Sequence, residues 1–131
     1  MKLLAAAILL SVSVASAQIE GSSTLDLKDK RVEDIKWKAI KVINEKSTDG
    51  FLMMPTSVVR VTEGIIWGEW YIIDIEAQQT TCLKKKTTHA QLRAKGCELT
   101  KKGKRVLYKV DLLEAHDSKP QYTIKSMKAL H

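Results

Sequence analysis

At 131 residues the chain is sized for one domain, and its 22 Lys and Arg against 15 Asp and Glu leave a net charge of +7; a second independent domain is not expected. Two cysteines and three widely separated histidines exclude a multi-cysteine metal scaffold, and the basic balance favours acidic partners. No internal repeat or low-complexity tract is present.

The first segment reads as an export signal. Lys2 gives a positive start, residues 3–14 are an almost unbroken apolar run, and Ala15-Ser16-Ala17 supplies a small-x-small cleavage site. A membrane span needs roughly 20 apolar residues. This run is shorter, and no basic stop-transfer cluster follows to support the alternative of an uncleaved anchor. Residues 1–17 are therefore expected to be a signal peptide and 18–131 a single secreted, extracellular domain. Removing 17 of the 131 residues leaves 114, with a net charge of +6 once Lys2 is gone.

Asp29 is placed to cap a helix starting near Lys30. Val32, Ile35, Ala39, Val42 and Ile43 follow at three- and four-residue steps, the period of one apolar helix face. Lys30, Arg31, Glu33, Asp34, Lys36, Lys38, Lys41 and Glu45 fill the other positions, and Ser47-Thr48-Asp49-Gly50 predicts a turn after Lys46. Val58-Val59-Arg60-Val61-Thr62 reads as a strand, Glu63-Gly64 as a tight reversal, and residues 65–81 as a longer strand with Gly68 as a possible bulge. In that strand Trp70, Ile72, Asp74 and Glu76 share one parity and Tyr71, Ile73 and Ile75 the other. After a polar basic stretch, Gly96-Cys97-Glu98-Leu99 predicts a strand start, Lys102-Gly103 a hairpin turn, residues 104–113 an alternating half-buried strand and 121–127 the last strand. The fold class is α+β: one long helix packed on a four- to five-stranded antiparallel sheet.

Cys82 and Cys97, paired in number and exported, read first as one disulfide closing a loop of about 15 residues. The alternative is a metal site, for which His89 makes a poor third ligand. His89, His116 and His131 read as surface residues without metal spacing, so no metal is assigned. Trp37, Trp67 and Trp70 read as core or sheet-face residues. Asp74 and Glu76 share a strand face, but no cleft pattern surrounds them and no Ser-His-Asp or Cys-His set assembles. Neither an enzyme nor a cofactor is expected. Asn44-Glu45-Lys46 is not a glycosylation sequon.

The segment Ile43-Asn44-Glu45-Lys46-Ser47 at a helix end, a hairpin closing on Glu63-Gly64, and Thr80-Thr81-Cys82 at the end of the long strand together resemble a secreted, type-2-like cystatin, over most of the mature chain. The resemblance implies a cystatin-like fold and inhibition of papain-like cysteine proteases of the cathepsin type. Cystatins wedge three elements into the protease cleft: an N-terminal segment around a glycine, a first hairpin with Gln-x-Val-x-Gly, and a second with Pro-Trp. Position by position, the glycine is matched by Gly21 and the first hairpin by Arg60-Val61-Thr62-Glu63-Gly64. The third element falls in the loop at His116, and Cys82 with Cys97 corresponds to the first of the two usual disulfides. Arg60 stands where glutamine is usual and Thr62 where valine is usual; Pro-Trp and a second disulfide are absent. Each unpaired polar group carried into a dry cleft costs about 1–3 kcal/mol.

The resemblance also implies a second reading, a non-inhibitory binding protein on the same fold, as in fetuins and cathelicidins. Lys84, Lys85, Lys86, Arg93, Lys95, Lys101, Lys102, Lys104 and Arg105 crowd one region with Glu98 as the only acid. That patch suits an anionic glycan, a lipid headgroup or an acidic protein, or else is a solvated connection. No aromatic residue interleaves with the lysines, so nucleic acid is not expected. A monomer is expected, with exchange of the helix and first strand into a dimer left open.

Overall fold

The computed structural model describes residues 22–65, 68–115 and 117–130, so the expected signal peptide at 1–17 lies outside the described residues. Five antiparallel strands form one sheet in the order β1-β2-β3-β4-β5. They are β1 (Ser22–Thr24), β2 (Phe51–Ile65), β3 (Gly68–Leu83), β4 (Arg105–Ala115) and β5 (Gln121–Leu130). Helix α1 (Arg31–Lys46) packs on β2, β3 and β5, and a second, seven-residue helix, α2 (His89–Lys95), lies in the β3–β4 connection.

The apolar periods of the sequence become the core. From α1, Val32, Ile35, Ala39, Ile40, Val42 and Ile43 are buried. The sheet opposes them with Val61 of β2, Tyr71, Ile73, Ile75 and Ala77 of β3, and Val106, Tyr108, Val110 and Leu112 of β4. Each such side chain taken fully out of water contributes about 1.5–3 kcal/mol. The parity read for residues 70–76 and 104–113 is the parity observed. Trp37 is buried, and Trp70 is half-buried with its Nε1 donating to Asp111 Oδ1 at 2.8 Å. Trp67 lies outside the described residues. The cap position of α1 is Lys30, one residue later than expected, while Asp29 Oδ1 accepts the Arg31 backbone N–H at 2.9 Å.

Several local expectations are corrected. β2 starts at Phe51 rather than Val58, because Pro55, which argues against a central strand, sits at a register shift between Pro55 and Ser57. The reversal is not at Glu63-Gly64: both are paired, to Tyr71 and Trp70, and the last β2–β3 pair is Ile65 with Glu69. Gly68 opens β3 opposite Ala115 instead of forming a bulge inside it. Leu99 makes a single bridge to Thr80 and not a strand start. Residues 100–103 do turn, with Gly103 N–H donating to the Thr100 carbonyl at 2.9 Å.

Helix α2 was not expected. Thr88 Oγ1 accepts the Gln91 N–H at 3.1 Å and Gln91 Oε1 accepts the Thr88 N–H at 2.8 Å, a reciprocal cap. Gly96, at φ 71°, ends the helix in a region where a side chain would be strained. Leu92 is fully buried, and the His89 ring meets Trp37 edge-on at 6.0 Å. His89 is therefore partly buried rather than a surface residue, and its Nδ1 has no hydrogen-bond partner. The Cys82–Cys97 disulfide ties the end of β3 to the residue after Gly96.

Candidate functional site

Strand direction and register bring three chain segments to one end of the sheet. Ser22, the first residue of β1, pairs with Gly64 of β2; Ile65, the last residue of β2, pairs with Glu69 of β3; and Gly68 pairs with Ala115 of β4. Leu113 pairs with Gln121, so residues 116–120 connect β4 to β5 at the same end. The start of β1, the facing ends of β2 and β3, and the facing ends of β4 and β5 thus lie at one end of the sheet, in that order.

Of the residues singled out from sequence, Gly21 and His116 lie outside the described residues. The other five belong to the paired body of β2. Arg60 is exposed opposite Asp74, five residues before the last pair. Val61 is fully buried in the core, Thr62 pairs with Thr24 and Ile72, and Gly64 is buried between Ser22 and Trp70. Glu63 accepts from Arg31 Nη1 at 2.9 Å. β2 continues past Gly64 to Ile65 and β3 starts at Gly68, and a second glycine, Gly68, stands four residues after Gly64 in the sequence.

Ion pairs brace this end from behind. Arg31 bridges Asp29 at 3.0 Å and Glu63 at 2.9 Å, linking the start of α1 to β2. The Arg31 guanidinium lowers the Asp29 carboxyl to about 2, and Asp29 and Glu63 in turn hold Arg31 charged. On the other flank Glu69 and Glu114 face each other across β3 and β4, an unfavourable like-charge pair. Lys38 of α1 offsets it by donating to Glu114 Oε1 at 2.7 Å, which holds the Glu114 carboxyl below its ordinary value. Burial and the bond to Glu114 push the Tyr122 hydroxyl up.

The basic residues lie at the opposite end, in and beside the β3–β4 connection. Arg93 pairs with Asp34, Lys104 with Asp49 and Arg105 with Glu76, at 2.8, 3.5 and 2.6 Å. Lys84 Nζ donates to the Ser47 carbonyl at 2.6 Å. Lys85, Lys86, Lys95, Lys101 and Lys102 are exposed and carry no ion pair among the described residues. Asp74 and Glu76 share the outer sheet face as read, and each is matched by a cation, Lys109 and Arg105. No group of His, Cys, Asp and Glu able to hold a metal occurs among the described residues, and no helix there is long and apolar enough to cross a membrane.

Comparisons with known proteins agree with this architecture. Cystatin cpi-1 of Caenorhabditis elegans is 29% identical over 115 residues, 87% of this chain and 79% of that protein. Cystatin-D of Mus musculus is 30% identical over 64 residues, 49% of this chain and 43% of that protein. Among solved structures, that of Al-CPI superposes with a TM-score of 0.71 at 25% identity, covering 84% of this chain and 99% of that one. Dimeric human cystatin F gives 0.63 at 16% identity, covering 88% of this chain and 91% of that one, a likeness of fold alone. Residues 21–111 match the family model of the Cystatin domain, and with that span and this sheet-and-helix topology the chain belongs to the cystatin family.

Proposed function

We propose that the protein inhibits papain-like cysteine proteases by inserting the three-segment edge into the substrate cleft. The observation that supports this reading is the convergence of Ser22 at the start of β1, Ile65 and Gly68 at the facing ends of β2 and β3, and Ala115 and Gln121 at the facing ends of β4 and β5 on one end of the sheet. The pairing of Glu63 and Gly64 within the sheet favours residues 64–68 over residues 60–64 as the inhibitory hairpin. Its final glycine is then Gly68, and Ile66 stands where the family pattern has valine. This assignment removes the difficulty raised by Arg60, Thr62 and Glu63, none of which has to leave water, and gives the proposed tip an apolar sequence, Ile65-Ile66-Trp67. Gly64 replaces the usual glutamine and no Pro-Trp is present, so the tip supplies most of the contact area and binding is weaker than a complete wedge would give.

Titration of the oxidised domain into papain and a cathepsin L-like protease, following residual activity, tests the reading. Ile66→Asp would bury an unpaired carboxylate, at a cost of about 3–5 kcal/mol, and should weaken inhibition roughly 100-fold or more. Arg60→Ala, in the body of the sheet, should leave it unchanged. Equal inhibition by wild type and Ile66→Asp would overturn the assignment. Export, with cleavage after Ala17, is part of the same proposal: a disulfide suits an oxidising compartment, and the intact mass of the mature protein should start at Gln18.

A further inference from the structure

We infer that the β3–β4 connection, at the end of the sheet away from the three-segment edge, is a binding surface for a sulfated polysaccharide. The charge of the molecule is concentrated there. Residues 84–105 hold nine basic side chains against one acid, a net +8 in a chain whose total is +7, so all the rest sums to −1. Such an asymmetry is not needed for solubility, which net charge supplies wherever it is placed.

The charges left over are of one kind. The two arginines of the segment, Arg93 and Arg105, are both engaged with carboxylates, and the segment's five exposed cations without an ion pair among the described residues are all lysines. Lysine ammoniums are compact, rotatable point charges that require no fixed geometry in an anionic partner, whereas planar bidentate recognition of a single carboxylate or phosphate uses arginine. Residues 84–105 contain no Phe, Tyr or Trp, which leaves out the stacking that single-stranded nucleic acid uses. A lipid surface would draw on apolar side chains set among the lysines. Here Leu83 and Leu99 are 40% and 37% exposed, while the more exposed Val59 and Met127 belong to β2 and β5.

A seat for one anionic group adjoins the lysines. A cleft of about 430 Å³ between α1 and the approach to α2 is lined by Lys41, Lys84, Thr87 and His89, with Glu45 the one carboxylate in its wall. Lys41 and Lys84 both line that cleft, so an anionic group placed there meets two cationic side chains. The proposal does not depend on protease inhibition, and its test uses no protease.

The test compares retention on immobilised heparin with retention on a sulfonate resin, together with heparin affinity at several salt concentrations. The variants are K85A/K86A/K101A/K102A and, as a charge-matched control elsewhere on the surface, K28A/K30A/R60A/K119A. The wild type should bind heparin beyond its retention on the sulfonate resin, with log affinity falling linearly against log salt. The first variant should lose about tenfold or more, with a slope lower by roughly one for each lost contact, and the control less than about threefold. Circular dichroism should show both variants folded, since all eight positions are exposed. Equal losses in the two variants would reduce the effect to net charge and overturn the proposal. So would capture by phosphatidylserine vesicles with weaker binding to heparin.

Discussion

Asn44 shows how much of this fold rests on single polar side chains. It is 8% exposed, on the buried side of α1, and uses its whole amide on one residue: Nδ2 donates to the Met53 carbonyl at 3.1 Å and Oδ1 accepts the Met53 N–H at 2.8 Å. The end of the helix is thereby fixed to β2 where the strand's register shifts between Phe51 and Met53. Asn44→Leu would keep the bulk but strand two backbone groups, each costing about 1–3 kcal/mol when left without a partner. A loss of about 2–4 kcal/mol is expected, read as a lower urea midpoint at constant m-value; a shift below about 1 kcal/mol would show that water replaces the amide. No local pattern announces such a bond. Nothing in the residues around Asn44 marks this bond, and its partner nine residues later is set by where β2 docks.

At the scale of elements, α2 and the β2–β3 hairpin show where patterns stop deciding. Thr88-x-x-Gln91 is a capping-box sequence in plain view, yet seven residues are too few for an apolar period to emerge, and the surrounding lysines read as loop. Thr88→Ala removes the acceptor for the Gln91 N–H and should cost about 1 kcal/mol. The loss should be local, seen as faster amide exchange at Leu92 and its neighbours in α2, with β3 and β4 amides unchanged. Uniform acceleration across the sheet would mean that α2 is part of the cooperative core. In the hairpin, faces were legible and the turn was not. A reversal at residues 63–64 would set Val61 against Ile66, joining the inward parity of β2 to the outward parity of β3. The observed pairing of Val61 with Ile73 keeps both inward, and a slip of one residue would expose the whole set. Glu63-Gly64 has turn chemistry, but the core face overrides it and carries the reversal past Ile65, and with it the tip proposed to meet the protease.

At the scale of the whole molecule the sheet separates two charged and shaped ends. β3 alone runs 16 residues from Gly68 to Leu83, about 50 Å at roughly 3.3 Å per residue. A standard protein interface covers about 800 Å² on each partner, a patch roughly 30 Å across, so a protease on the three-segment edge and a polysaccharide on the β3–β4 connection do not overlap. The element between them is β3, whose inner face is packed under α1, and coupling between sites needs an element whose alternative states the ligands bind differently. Saturating the domain with papain should therefore change its heparin affinity by less than about twofold, and heparin should change the inhibition constant by no more, as reciprocity requires. The check is a ternary complex on a heparin surface: domain first, then papain, with papain alone as the blank. A mass increment matching one papain per bound domain is the expected result. Release of the domain by papain would instead place the two sites on one surface, and would move the polysaccharide contacts to the cations near the wedge, Arg31, Lys38 and Lys119.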